Sequence, residues 1–471
     1  MRRKAGMAVG AAVALVLAGT TGAVAWQYAG DEGQTVGTWH DAPGVARTPV
    51  AAEQAQQADP ARPAAAPEAE GFAENSTETK NTVPRAKIEE GAKIEEGATT
   101  EEGGRPLEKA TADGRQRVGE LVKVDKLLSY LERAPQKETF SYPGASYVKL
   151  HFNRMSMLPG DYLTVSNADG TESYRYDAQK ALNDKWAMSV TGDTAVLEMH
   201  RAVNPLGVTG VAGTLGVGVD RVARGFTRTE QDRQPESQLT APGRTGREES
   251  VCGSDTSSDA VCYRSADPVA YTKSKAIARL LINGTELCTG WRVGPNNRML
   301  TNNHCFTNTS AAYDTEVWFN YQCATCGGYD VFQPTKVWGS KVLATDHTYD
   351  YTLFSVDNFD SIKKFGYLIL DQARPAKGQE LYVPQHPAGE PTRIAGSLGE
   401  KAGNCSVTDP GYTGYAAGSD VAYLCDTEGG SSGSPVLSRK TNKVVALHHF
   451  GGCPNSGVRG DLLAAKLGKL L

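Results

Sequence analysis

Residues Thr427–Leu437 read TEGGSSGSPVL, a glycine-rich turn that presents Ser431 and Ser432 and runs directly into an apolar strand. Glycines permit backbone dihedrals that other residues resist. A nucleophilic serine needs its hydroxyl exposed on such a turn, with backbone N–H groups aimed where an oxyanion will form. Ser432 meets that requirement, with Gly430 and Ser432 itself as the N–H donors. Working upstream, Leu300–Cys305 (LTNNHC) is an apolar strand that delivers His304 and is followed at once by a cysteine. An imidazole can accept a serine proton near neutral pH. The other histidines lack this setting: His448 and His449 follow the serine turn, His347 and His386 sit in polar loops, and His40, His151 and His200 precede the cysteine-rich half. Between the two motifs, Tyr349–Phe354 (YDYTLF) places Asp350 at the head of an apolar strand, where a buried carboxylate requires a partner. Asp346 and Asp357 compete for that role, but neither directly precedes an apolar run of this form.

GGSSGSP resembles the GDSGGP nucleophile loop of the trypsin-like (chymotrypsin-fold) serine proteases, and LTNNHC is similar to their TAAHC motif. The chain order His304, Asp350, Ser432 is also theirs, and differs from that of subtilisin or the α/β-hydrolases. The resemblance spans about Val251 to Leu471. It implies an all-β fold, a double β-barrel, and a serine endopeptidase working through an acyl-enzyme on protein or peptide substrates; Asp461–Leu471, apolar at Leu462, Leu463, Ala465, Leu467 and Leu470, reads as a C-terminal helix packing onto the barrel. It implies no cofactor and no metal, and a monomer. The CTG at Cys288, the NYQ run leading to Cys326 and YDYTL are similar to bacterial lysyl endopeptidases, whereas LTNNH, GGSSGSPV and HFGG echo glutamyl endopeptidases. One departure from trypsin matters. Ser431 stands where trypsin has the aspartate that pairs with a freed N-terminus, so activation by that ion pair is not expected.

Substrate preference stays open between two readings. Asp426, six residues before Ser432, matches the trypsin pocket-floor aspartate, and Glu428 is similar to the lysyl group; both imply cleavage after Lys or Arg. Thr427 and His449 match positions with which glutamyl endopeptidases hold an acidic side chain. Asp426 forming only a turn after Cys425 is the plain alternative. By the same resemblance, the expected disulfides are Cys288 with Cys305, Cys252 with Cys453, Cys262 with Cys326, and Cys405 with Cys425. Cys323 is then left as a free thiol. Cys323 and Cys326 also form a CxxC, but no second pair has zinc-ligand spacing.

The whole chain has 471 residues, room for about three domains at roughly 150 residues each. A net charge of −5, from 49 basic and 54 acidic residues, gives no broad positive field for nucleic acid. Arg2, Arg3 and Lys4 precede an apolar run from Met7 to Trp26 that ends in small residues, the order of a secretory signal peptide over 1–26. The competing reading is a membrane anchor; cleavage and extracellular release are expected instead, with no lasting membrane association. All nine cysteines lie between Cys252 and Cys453, in keeping with an oxidising destination for that half.

Residues 27–115 are expected to form a disordered linker or pro-region, rich in Ala, Pro and Glu, with KIEEGA at Lys87–Ala92 repeated at Lys93–Ala98. Residues 116–235 are expected to form a pro-region or accessory module. Within it, Val118, Leu121, Val122, Val124, Leu127, Leu128 and Leu131 suggest an amphipathic helix over Arg117–Arg133. Strands follow at Tyr147–Phe152, Tyr162–Val165, Ser173–Tyr176, Trp186–Val190 and Ala195–Met199, separated by LPGD, NADG and TGD turns: a small β-sandwich. It resembles modules found ahead of protease domains in some secreted bacterial precursors, with chaperoning, inhibition or surface binding as its role. The polar stretch 236–250 reads as a processing linker, cut in the Arg244–Glu249 region, ahead of a protease domain over 251–471. Another class of function also fits the module: a non-catalytic secreted binding or adhesion protein that uses the protease fold as a scaffold.

Overall fold

The computed structural model describes residues 114–130, 136–178, 184–202, 215–234, 251–396 and 405–471, together with the backbone of 36–38. The expected signal peptide, nearly all of the 27–115 linker and the 236–250 processing linker lie outside the described residues. Val36–Thr38 forms a short strand paired with Asp330–Phe332.

Two antiparallel sheets make up the first structured region. One runs in the spatial order Lys137–Ser141, Thr194–His200, Tyr162–Asn167, Ser173–Asp177; the other runs Gly119–Ser129, Gly216–Gly225, Tyr147–Ser156, Lys185–Trp186, with Val190–Thr191 also on Tyr147–Ser156. Alternate residues of both sheets meet in one core, including Leu150, Phe152, Leu163, Val165, Leu197, Val217 and Val219. The sandwich expected from the turn signals is present.

The helix expected over Arg117–Arg133 is not formed. Gly119–Ser129 is instead an eleven-residue strand paired along its length with Gly216–Gly225. A helical face would have buried Leu121 and Leu127, yet these are 47% and 48% exposed. Val122 and Val124 alternate with exposed Leu121, Lys123 and Asp125 in a period of two, and β-branched residues favour that setting. Seven apolar residues in a short span satisfied both periods, and the pairing partner decided between them.

From Ile277 the chain forms a closed barrel of six strands: Ile277–Ile282, Thr315–Phe319, Thr335–Asp346, Tyr351–Val356, Met299–Thr301 and Glu286–Arg292, which pairs back on the first. A second sheet runs Ser258–Asp259, Arg393–Ala395, Leu381–Gln385, Pro435–Ser438, Val444–Phe450, Asn455–Arg459, Asp420–Tyr423, Val407–Tyr412. It closes through Leu381 N–H to Cys405 O at 2.8 Å and Val407 N–H to Gln379 O at 3.0 Å. Each barrel has its own core, Leu280, Val317 and Phe354 in the first and Val383, Val421 and Val436 in the second. The helix Gly460–Leu467 packs Leu463 and Leu467 into the apolar cluster that joins the barrels. The double-barrel fold class is the one expected.

The sandwich docks on the first barrel. Val118 and Tyr147 share an apolar cluster with Leu281, Leu287, Trp318 and Tyr321. Beside it, fully buried Lys149 meets Glu316 at 2.6 Å and buried Lys336 meets Glu172 at 2.7 Å. Ser189 donates from its N–H and its hydroxyl to Glu316, at 2.9 and 2.6 Å. One short strand completes the junction: Gln116–Arg117 pairs antiparallel with the edge of Glu286–Arg292, Gln116 opposite Leu287 and Arg117 opposite Glu286.

Four disulfides brace the barrel region: Cys252–Cys453, Cys262–Cys326, Cys288–Cys305 and Cys405–Cys425. Cys323 is free and buried, and burial pushes its thiol up to about 12, so it carries no thiolate at neutral pH.

Candidate active site

Three loops converge between the barrels. The strand Met299–Thr301 ends in a turn that carries His304, anchored by the Cys288–Cys305 bridge one residue further on. Asn302, fully buried, donates its side-chain N–H to the Asp350 carbonyl at 2.9 Å and so ties this turn to the next loop. Asp350 sits immediately before Tyr351–Val356 with φ of +36°, a conformation uncommon for a non-glycine residue. That turn directs its carboxylate back towards His304.

Asp350 receives His304 on both oxygens: the backbone N–H of His304 donates to Oδ1 at 3.0 Å and the ring Nδ1 to Oδ2 at 2.8 Å. Burial alone would push this carboxyl up. The charge and hydrogen bonds of His304 and the hydrogen bond from His449 outweigh it and hold the group well below the usual carboxylate range. The Nδ1–H tautomer leaves Nε2 of His304 as the lone-pair nitrogen. Nε2 is buried and makes no hydrogen bond among the described residues.

Ser432 is 6% exposed and lies on the turn between two left-handed glycines, Gly430 at φ +94° and Gly433 at +88°. Close packing as well as conformation demands glycine here. A Cβ at Gly433 would lie 2.1 Å from the Thr289 carbonyl oxygen, and one at Gly430 would lie 2.9 Å from that of His386. Thr289 clamps the turn from the neighbouring barrel, its hydroxyl donating to Gly430 O at 2.9 Å and its N–H to Ser432 O at 2.8 Å. Ser431, fully buried, accepts the Glu428 N–H on its hydroxyl at 3.2 Å and returns its own N–H to Glu428 O at 2.9 Å. The turn therefore holds its shape without the aspartate of the trypsin pattern. Ser432 Oγ faces the carbonyl oxygen of Gly114 at 3.5 Å, a residue 318 positions earlier.

The residues expected to read the substrate are placed unequally. Asp426 is buried and its oxygens accept from Cys252 N–H at 3.1 Å, Thr256 N–H at 2.9 Å and the Thr256 hydroxyl at 2.6 Å. It anchors the segment tied down by the Cys252–Cys453 bridge. Thr427 is buried, and its hydroxyl has no hydrogen bond among the described residues. Glu428 lines a cavity of about 330 Å³ with Gln116, Asp232, Asp255, Glu390 and Arg393. His449 is fully buried behind Asp350, with Nδ1 3.0 Å from Asp350 Oδ2 and Nε2 2.6 Å from Asp420 Oδ2. Neither ring nitrogen is left for a substrate side chain. Burial alone would lower its pKa, but the Asp420 charge and the hydrogen bonds that the ring donates to both carboxylates raise it to about 9. At neutral pH it is an imidazolium between two carboxylates.

Asp420 and Asn302 were not singled out by motif. Asp420 stands in GSDVAYLC, a run with no catalytic signature, and only the fold brings it to His449. Cys288, His304 and Cys305 lie within ligand distance of one another, but the disulfide engages both sulfurs. The group is thereby unsuited to a metal.

The family model described as a trypsin-like peptidase domain matches residues 288–447. The secreted RxLR effector protein 73 of Plasmopara viticola is 33% identical over 330 residues, covering 67% of this chain and 77% of that protein. Among solved structures, a Glu endopeptidase in complex with MPD is 21% identical and covers 47% of this chain and 100% of its own, with a TM-score of 0.34. Deg5 is 12% identical, covering 42% and 90%, with a TM-score of 0.32. With a closed six-stranded barrel and this family match, the chain belongs to the trypsin-like (chymotrypsin-fold) serine proteases and is a serine endopeptidase.

Proposed function

We propose that His304, Asp350 and Ser432 form the catalytic triad of this endopeptidase, with the backbone N–H groups of Gly430 and Ser432 stabilising the oxyanion. The observation that carries the proposal is the two-point grip of Asp350 on His304, which fixes Nδ1–H and leaves Nε2, buried and without a hydrogen bond among the described residues, as the ring's acceptor. His304 Nε2 takes the Ser432 proton as Oγ attacks the scissile carbonyl carbon. The resulting tetrahedral oxyanion collapses, the C–N bond breaks, and His304 returns the proton to the leaving amine. Water, deprotonated by the same nitrogen, then hydrolyses the ester and restores Ser432. Ser432→Ala and His304→Ala each reduce kcat/KM by about 10⁴-fold or more on a peptide substrate.

Cleavage after Lys or Arg is the proposed preference. Its support is the buried carboxylate of Asp426, which has hydrogen bonds but no ion-pair partner among the described residues. The opposing preference, for Glu, retains the unpartnered Thr427 hydroxyl in its favour and loses His449, whose nitrogens are engaged. Cleavage-site profiling on a mixed peptide library separates them: cuts after Lys or Arg that weaken in Asp426→Asn support the first, cuts after Glu the second.

The enzyme is further proposed to be exported. The basic and apolar start of the chain and the four disulfides support this, as does the name of the Plasmopara viticola relative, a secreted protein. The sandwich is proposed as a pro-region, released by a cut within the 236–250 stretch.

A further inference from the structure

The segment Gly114–Val118 runs from the nucleophile to the sandwich core, and both ends are held. Val118 is fully buried; its N–H donates to Thr285 O at 2.9 Å and its carbonyl accepts from Phe226 N–H at 2.9 Å. Gln231 Nε2 donates to the Arg117 carbonyl at 3.1 Å. Between these anchors and Ser432, Gln116–Arg117 extends the first barrel by one strand along Glu286–Arg292. An extended peptide added to an exposed strand edge is a general mode of peptide recognition, with backbone pairing giving affinity and side-chain contacts giving specificity.

Chain direction fixes which part of a substrate this segment imitates. The carbonyl that faces Ser432 Oγ belongs to Gly114, at 3.5 Å. A residue whose carbonyl meets the nucleophile lies on the acyl side of a cut bond, so the residue that follows it lies on the leaving-amine side. That residue is Arg115, whose guanidinium meets Glu286 Oε2 at 2.7 Å, with the two side chains 20% and 16% exposed. Gln116 comes next and pairs with Leu287, one residue before Cys288 of the bridge that braces the His304 turn.

We propose that Arg115–Arg117 is an internal occupant of the leaving-group side of the cleft, with Gly114 at the acyl-side position next to it, and that Glu286 is the residue that recognises a basic side chain immediately after the bond to be cut. The proposal rests on Ser432 being the nucleophile. It assigns Glu286 a preference on the opposite side of the bond from Asp426. It also makes the Arg115–Glu286 pair a restraint on the enzyme's own activity while the sandwich is docked. A peptide with Lys or Arg in that position competes for the same carboxylate; one with Asp or Glu meets like charge.

The test uses the full chain and a peptide series that shares the residue before the cut bond and varies only the residue after it, through Arg, Lys, Gln and Glu. Fluorophosphonate labelling of Ser432 is followed in parallel, so a chain with little turnover still reports access to the nucleophile. Arg115→Glu raises labelling and hydrolysis by on the order of tenfold, the size expected for loss of one charge-assisted contact, while Arg115→Lys does not. Glu286→Gln flattens the preference for a basic residue after the bond, and Glu286→Lys inverts it. Combining Arg115→Glu with Glu286→Lys restores slow labelling, because the pair is rebuilt with its charges exchanged. Equal labelling in all four charge variants, or a preference after the bond that Glu286→Gln leaves unmoved, overturns the proposal. Hydrolysis that survives Ser432→Ala points instead to a failure of the triad assignment.

Discussion

Asp350 serves two imidazoles at once, accepting His304 and His449 on the same oxygen, Oδ2, at 2.8 and 3.0 Å. The electrostatic consequence is a row of alternating charge, Asp420, His449 and Asp350, buried behind His304. His449 stays protonated in the folded chain up to about pH 9, against an ordinary histidine value of 6.5. A raised folded-state pKa contributes stability that is fully present below pH 6.5 and is lost as pH climbs through 9. Two and a half pK units correspond to roughly 3 kcal/mol. Urea denaturation of the wild type and of His449→Gln should therefore show a stability gap that shrinks by about that amount between pH 6 and pH 10. A gap that does not change with pH would mean the ring is neutral. Asp350 and Asp420 act in the opposite sense. Their folded pKa values are depressed, so their contribution is present above the ordinary carboxylate value of 3.8 and is lost as pH falls below it.

At the scale of elements, local chemistry decided what the sequence could reveal. The serine turn was legible because its glycines, its serine and the apolar strand after it are contiguous, and the structure gives the reason: Gly430 and Gly433 need positive φ and a missing Cβ. Gly433→Ala places a methyl group 2.1 Å from Thr289 O and strains φ at +88°. We expect a loss of at least about 2 kcal/mol, read as a lower urea midpoint with the slope unchanged. The LTNNHC and YDYTLF motifs were legible for the same reason, each being a strand end with one polar residue in a fixed place. Arg117–Arg133 was not, because Leu121 and Leu127 fit a helical face although neither is buried. What settles that segment is its pairing with Gly216–Gly225, about a hundred residues away, and pairing of that range leaves no local trace. His449 shows the same limit: its position was readable, but its engagement by Asp420 was not.

For the molecule as a whole, the sandwich and first barrel are joined by charges as well as by an apolar cluster. Burial alone would raise the pKa of Glu316; Lys149 and Lys336, with hydrogen bonds from Lys149 and Ser189, outweigh it and keep the carboxylate charged. Removing one partner of a buried pair leaves the other charge uncompensated, at a cost of about 3–5 kcal/mol, whereas replacing both with apolar residues is often close to neutral. Lys149→Met should therefore lower the urea midpoint of the full chain sharply, and Lys149→Met with Glu316→Gln should recover part of the loss, because the amide removes the uncompensated charge and keeps an acceptor for Ser189 and Trp318. Recovery absent from the double variant would show that the pair is not the source of the effect. These contacts set the sandwich against the cleft and bring Gly114 to Ser432. No local pattern in either segment announces that contact.

The central claim is that Ser432 is a nucleophile activated by His304. The most direct measurement is mass-spectrometric location of a fluorophosphonate adduct on the purified protein, made alongside Ser432→Ala and His304→Ala. The account predicts a single adduct on Ser432 in the wild type, none in Ser432→Ala, and labelling slowed by orders of magnitude in His304→Ala. An adduct elsewhere, or labelling that proceeds equally without His304, would contradict it.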